Sequence, residues 1–315
     1  MSERPTLGFA DRLAALVEER RSQIVLGLDP DPAALWPVAV EVGATSPTGP
    51  APPHEVAEAT AAAVTRHCRA AIDAAGASCV AVKPQVACFE RLGAPGWAAL
   101  AHVVEATHEA GLLLIADAKR GDVPVTARAY AQGLVGETPG PYGPVKGLGA
   151  DAFTANPLLG RDALAPLLEA AGEAGAGCFV LVRTSNPGAA EVQDEPSDNP
   201  LHERLATIVD ELGREMTGDS GLSSVGAVTG ATRPDLLERL RELMPNAIFL
   251  LPGVGAQGGS VHDLGAAFKP HPAGGLIASS RSIVGAHKEA GGDPAQAAQA
   301  AAEALREAAW AAATT

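Results

Sequence analysis

Eight short apolar runs alternate with segments of helical periodicity along the chain, and polar residues recur where those runs end. No G-x-G-x-x-G loop follows the first run, as a dinucleotide-binding open sheet would require. These observations predict an α/β fold: a (β/α)8 TIM barrel with an extra N-terminal helix and loop insertions. The barrel is expected to be a single domain over residues 1–315, with insertions at about 37–53, 133–149 and 189–200. A hydrophobic content of 47% supplies a large core, and 3% aromatic residues suits Ala- and Gly-rich helices packed closely on a parallel sheet.

Taken in order, Phe9–Arg20 has apolar residues at helical spacing and reads as a leading helix. Ile24–Asp29 is the first strand, ending in an acid and stopped by Pro30 and Pro32. Residues 37–53 are rich in Pro, Gly, Ser and Thr and read as an exposed loop, followed by an Ala-rich helix over 54–75. Cys79–Lys83 is the second strand, closed by Pro84, and 96–110 is helical. Leu112–Ile115 is apolar throughout, as expected of a strand buried on both faces, and runs directly into Ala116–Val123. The helix over 123–132 tolerates Pro124 because early helix amides have no internal acceptor.

Residues 133–149, rich in Gly and Pro, read as a second loop insertion. Strands four and five are Ala152–Pro157 and Cys178–Arg183, the latter running out through Thr184-Ser185-Asn186-Pro187-Gly188. The acidic, polar segment 189–200 reads as a solvated or mobile loop ahead of a helix at 201–216. Strand six is Ser224–Val228, followed by a helix at 234–243. Ala247–Leu251 is the seventh, ending in the Gly-rich Pro252–Gly259. Gly275–Ala278 is the eighth, ending in Ser279–Ile283, and 294–313 is the closing helix.

The chemistry concentrates at Asp117-Ala118-Lys119-Arg120-Gly121-Asp122. Strand alternation points Asp117 and Lys119 one way and Ala118 the other, Gly121 lets the backbone turn, and Asp122 is a good N-cap residue. Charges of alternating sign at the end of an apolar strand are costly to bury unless paired. They form either a structural salt bridge or a lysine kept protonated by two carboxylates and aimed into a pocket. Asp29, Lys83, Asp117, Lys119, Asn156, Ser185 and Arg281 all fall at strand ends, the rim where such barrels place their sites. After the last two strands, a Gly-rich turn exposing backbone amides and Arg281 at a helix start point to a phosphate site.

A net charge of −14 argues against nucleic acid or an anionic membrane as partner, so an anionic ligand must be drawn by local groups. Cys68, Cys79, Cys88 and Cys178 lack C-x-x-C spacing and read as reduced thiols, and the histidines show no H-x-H or H-E-x-x-H arrangement, so no metal site is expected. Met1–Gly8 has no apolar signal core and no stretch approaches ~20 apolar residues, which leads us to expect a soluble cytoplasmic protein.

D-x-K-x-x-D at Asp117, Lys119 and Asp122 stands with LDP at 28–30, VKPQ at 82–85, SNPG at 185–188, PGVGAQGG at 252–259 and SRSI at 280–283. In this order on eight strands they resemble the orotidine 5′-phosphate decarboxylase family. ADAKRGD and N-P-x-x-G from Asn156 to Gly160 resemble its longer bacterial form, type 2. The resemblance covers about residues 24–285. It implies decarboxylation of orotidine 5′-monophosphate to UMP and carbon dioxide, the last step of de novo pyrimidine biosynthesis, without cofactor or metal. Lys119 would protonate the carbanion, with Asp117 beside the substrate carboxylate and Lys83 extending the charged chain. Asp29 would meet the ribose, Ser185 the pyrimidine, and Gln257 and Arg281 the phosphate, with Asn156 and Pro252 as further substrate contacts. Asp122 and Thr126 would reach across a homodimer interface into the neighbouring subunit's site. Pro124, Val125 and Leu158 depart from the family pattern in regions of interface and loop packing.

Two other readings stand beside it. A magnesium-dependent phosphosugar decarboxylase of the sister family would need acidic ligands at neighbouring strand ends, where Lys83 would repel a metal. A catalytically silent barrel binding a phosphonucleotide would gain little from buried alternating charges.

Overall fold

The computed structural model describes residues 7–41, 51–255 and 257–314. Eight parallel strands close the barrel in sequence order: β1 (Ile24–Leu28), β2 (Ala81–Pro84), β3 (Leu113–Arg120), β4 (Ala152–Ala155), β5 (Gly177–Arg183), β6 (Ser223–Thr229), β7 (Ala247–Pro252) and β8 (Gly275–Ser279), with β8 pairing back onto β1. The expected barrel is therefore present. Its fourth strand stops at Ala155, so Asn156 belongs to the turn that follows.

Both faces of the sheet are covered, which is why the strands read as continuous apolar runs. Alternation sends Val25, Ile115, Phe179, Ile248 and Leu276 to the barrel interior. Ile24, Leu114, Phe153, Phe249 and Ile277 face the surrounding helices. The helix α1 (Phe9–Arg20) buries Phe9, Leu13 and Val17 in the interior cluster and so closes the end of the barrel opposite the polar strand ends. Phe9 meets Phe179 edge-on at 5.8 Å, and Ala10 N donates to Ser224 Oγ at 3.1 Å.

The outer ring is built from α2 (Pro53–Ala75), α3 (Ala94–Glu109), α4 (Pro124–Leu134), α5 (Arg161–Glu173), α6 (Leu201–Gly213), α7 (Leu237–Leu243) and α8 (Pro294–Thr314). The helix after Asp122 begins at Pro124 with Val123 as N-cap, one residue later than the sequence implied. Asp122 Oδ1 instead accepts from the Val123 amide at 2.7 Å. The helix α5 is not among the expected elements; it holds Pro166 in its interior, and Leu164, Leu167, Leu168 and Ala171 bury one stripe, which outweighs the lost ladder bond.

The described parts of the three insertions carry more regular structure than expected. Within 37–53, Pro37–Glu41 is a short helix and α2 starts at Pro53, while residues 42–50 lie outside the described residues. Within 133–149, Glu137–Thr138 and Val145–Lys146 pair as an antiparallel hairpin. Segment 189–200 is not simply solvated: Ala189–Gln193 is helical and Asp194 is ion-paired to Arg183. All four cysteines are free, and burial pushes the Cys79 thiol up to about 12, leaving it unreactive. Among the described residues no helix is long and apolar enough to cross a membrane.

Candidate active site

A cavity of about 540 Å³ opens at the C-terminal ends of the strands, the size range of a small-molecule site. Its charged lining comes from Asp29, Lys83, Asp117, Lys119 and Arg281, three cations and two carboxylates. The mouth is thus locally positive in a chain of net charge −14, as an anionic ligand would require. Leu181, Val228, Leu250 and Ala278, from β5 to β8, form the apolar wall facing the charged strands.

Asp117 is the hub. Its side chain is nearly buried and takes Lys83 Nζ at 2.6 Å on Oδ2 and Lys119 Nζ at 2.6 Å on Oδ1. Thr154 Oγ1 donates to Oδ1 at 2.9 Å and Gln85 Nε2 to Oδ2 at 3.3 Å. Burial alone would raise the Asp117 pKa, but the charges of Lys83 and Lys119 overcome it and hold the carboxyl at about 2. For Lys83 burial acts downward, yet the carboxylates of Asp117 and Asp29 win and its pKa lies above the usual lysine value. The fixed Lys-Asp-Lys chain is therefore fully ionised at neutral pH through Asp117 and Lys83.

The backbone that carries Asp117 and Lys119 is irregular. Ala116 pairs with Phe153 and Arg120 with Ala155, so Asp117, Ala118 and Lys119 stand opposite the single residue Thr154. The bulge puts Lys119 at φ 49°, the left-handed region that non-glycine residues seldom occupy. The sequence placed the turn at Gly121, but the glycine serves a close approach: a Cβ there would lie 2.5 Å from the Asn156 carbonyl oxygen. Asp117 and Lys119 share a side as expected, while Ala118 packs in the outer cluster.

The anion end lies between β7 and β8. Pro252, Gly253, Val254 and Gln257 line the cavity from one loop, and Ser280, Arg281 and Ser282 from the next. Gly253 takes φ 105°, a conformation open to glycine, where the chain leaves β7. Part of the turn's amide set is used within the loop. Gly255, Gly258 and Gly259 donate to carbonyls within the loop, at 2.9, 2.8 and 3.0 Å, which holds the loop's shape. Arg281 opens a short helix, Arg281–Val284, whose Val284 carbonyl accepts from Trp36 Nε1 at 3.0 Å. That bond ties the segment after β1 to the segment after β8.

The sequence reading missed the wall after β5. Thr184, Ser185, Asn186 and Gln193 all line the cavity, yet only Ser185 was anticipated. Buried Arg183 grips Asp194 with two nitrogens, Nε at 2.7 Å and Nη2 at 3.0 Å, and Arg233 adds Nη1 at 3.2 Å. This fork folds the acidic segment back over the strand end, where Gln193 Oε1 accepts from the Thr184 amide at 2.8 Å. The Arg183 hydrogen bonds hold Asp194 below the usual carboxylate range.

Asp122, Thr126 and Asn156 stand outside the cavity of this chain. Asn156 is exposed, and its Oδ1 accepts from Leu158 N at 3.0 Å, so the side chain shapes a turn. Asp29, Lys83, Asp117, Lys119, Ser185, Pro252, Gln257 and Arg281 are brought together. Among the described residues no group of three or more His, Cys, Asp or Glu is placed to hold a metal ion.

Comparison with known proteins places this geometry. The family model for orotidine 5′-phosphate decarboxylase / HUMPS matches residues 22–301, all eight strands included. The chain belongs to that family. It is 40% identical over 281 residues to an orotidine 5′-phosphate decarboxylase of Rhodopirellula baltica, covering 89% of each chain. It is similar in structure to Leishmania donovani OMP decarboxylase, with a TM-score of 0.70, 31% identity and coverage of 98% of this chain and 100% of that one. Against Leishmania donovani UMP synthase the TM-score is 0.70 at 32% identity, and the match covers 96% of this chain but 56% of that longer one. Membership in the orotidine 5′-phosphate decarboxylase / HUMPS family is thus carried by the whole barrel.

Proposed function

We propose that this protein is an orotidine 5′-phosphate decarboxylase, a carboxy-lyase that converts orotidine 5′-monophosphate to UMP and carbon dioxide in pyrimidine biosynthesis. The observation that carries this reading is the Lys83–Asp117–Lys119 chain, 2.6 Å at each link, in one cavity with the apolar wall, Arg281 and Gln257. Breaking the bond between the ring carbon and its carboxylate leaves the electron pair on that carbon. An ammonium fixed at that place stabilises the pair and then supplies the proton. Lys119 is the group so placed; Asp117 holds it, and Lys83 in turn holds Asp117. Arg281 and Gln257 are the groups for the phosphate, Ser185 for the pyrimidine and Asp29 for the ribose. Binding at the remote phosphate helps organise the site around the reacting carbon.

The barrel is read as one domain over 1–315, acting as a cytoplasmic homodimer. Four free cysteines fit a reducing compartment. A shared site is supported by the flank that carries Asp122 and Thr126, where Val125 is 86% and Leu158 75% exposed. Such exposed apolar side chains fit a face covered by a second copy. In this arrangement Asp122 and Thr126 complete the neighbour's site.

Purified protein is expected to consume orotidine monophosphate in the presence of EDTA, followed by loss of substrate absorbance. No turnover together with tight UMP binding would instead favour the silent binding barrel. Activity only with added magnesium, on a phosphosugar, would favour the sister reaction. For the dimer, mixing inactive Lys119→Ala and Asp122→Ala chains is expected to restore activity, since each heterodimer contains one intact site. No recovery despite demonstrated subunit exchange would exclude a shared site.

A further inference from the structure

We propose that Thr154, a residue of β4 with no role assigned so far, is the positioning residue that holds Asp117 and Lys119 in register; this rests on the decarboxylase reading above. A threonine in a strand needs no special account, because threonine fits a pleated sheet. Two observations separate this one. First, it faces the bulge: three residues of β3 stand opposite it, which breaks the regular pairing there. The Lys119 amide is bonded to the Thr154 side chain, N–H to Oγ1 at 2.9 Å, so the hydroxyl stands in for the carbonyl a regular ladder would supply.

Second, the hydroxyl's one proton goes to Asp117 Oδ1, also at 2.9 Å. Its direction is fixed by chemistry. An ionised carboxylate only accepts and a backbone N–H only donates, so Oγ1 must donate to Asp117 and accept from Lys119. Thr154 is 1% exposed, so water does not readily replace either bond. One hydroxyl therefore fixes both the carboxylate of the hub and the strained backbone that aims the lysine.

Without it, the left-handed conformation at Lys119 loses a restraint, and residues held in such regions persist only where their surroundings over-determine them. The ammonium at the end of that side chain then shifts relative to the reacting carbon. A misplacement of about 1 Å costs on the order of 10²-fold in rate.

The test compares Thr154→Val, which removes the hydroxyl at nearly constant shape, with Thr154→Ser, which keeps it and removes the methyl. Thr154→Val is expected to lower kcat by about 10²-fold with KM and UMP affinity changed little. Thr154→Ser should keep kcat within a few-fold of wild type, and Lys119 amide exchange should quicken in the valine variant alone. Wild-type kcat in Thr154→Val overturns the proposal, and so does an equal fall in both variants, which would assign the effect to methyl packing. Should the valine variant not fold, Thr154→Cys offers a weaker donor of similar size, with kcat expected to fall by about tenfold; unchanged kcat there overturns the proposal equally. A wild-type protein that turns over no orotidine monophosphate fails at the decarboxylase reading itself and takes the positioning role with it.

Discussion

Lys119→Ala is expected to lower kcat by at least about 10⁴-fold while UMP binding changes far less. Two separate contributions disappear together. A positioned proton donor is worth about 10²–10⁴-fold, and a fixed charge aimed at developing charge about 10²–10³-fold. Neither is made to the product, so binding should survive. The Asp117 carboxylate loses one of its two ammonium partners but keeps Lys83 at 2.6 Å and Thr154 at 2.9 Å, so the folded site should persist. Single-turnover rates and UMP titration of the same preparation decide the matter. An unchanged kcat with weakened UMP binding and a raised KM would mean that Lys119 anchors the ligand rather than stabilising a transition state.

The parts of the site that were legible in the sequence are those where chemistry departs from its surroundings. Asp117 and Lys119 interrupt an apolar strand, and charge in such a place demands a partner or a purpose. The barrel was legible because strands buried on both faces read as apolar runs, and that signal survives without any contact information. The bulge was not legible. Plain alternation already put Asp117 and Lys119 on one side, so nothing in the pattern called for a left-handed Lys119. Thr154 was hidden for a similar reason, since a hydroxyl in a strand is ordinary until its neighbour's register is known.

Asp194 and Gln193 were lost in an acidic stretch because acids are usually solvated, and the Arg183 that pairs with Asp194 lies on the preceding strand. Asn156 is placed differently from its neighbours on the rim. It sat near the expected end of a strand drawn to Pro157, but β4 stops at Ala155, two residues earlier, and the side chain goes to the turn. Strand ends are the least certain feature of a sequence pattern, and here that difference decides whether a side chain enters the cavity.

Asp117→Asn is expected to lower folding stability by about 3–5 kcal/mol at neutral pH, the usual cost of leaving a buried charge without its partner. The substitution keeps the shape and removes the charge that Lys83 and Lys119 share. An amide also has one donor end, which must face an ammonium or the Thr154 hydroxyl, so at least one bond of the hub is lost. The pH dependence carries the distinguishing sign. In the wild type the depressed Asp117 contributes above its unfolded value of 3.8, and that contribution is lost as pH falls through about 2. The raised Lys83 contributes fully below its unfolded value of 10.5, and that contribution is lost only as pH rises through its still higher folded value. Between about pH 4 and 10 these two groups leave wild-type stability flat. In Asp117→Asn, burial acts on Lys83 with less opposition and its folded pKa drops below 10.5, so the unfolded state binds more protons and stability climbs with pH. Urea unfolding from pH 6 to 10 should therefore show the gap between the two proteins narrowing as pH rises. Parallel curves would mean that Lys83 finds another partner or water in the variant, and that Asp117 is not what keeps its charge tolerable inside the barrel.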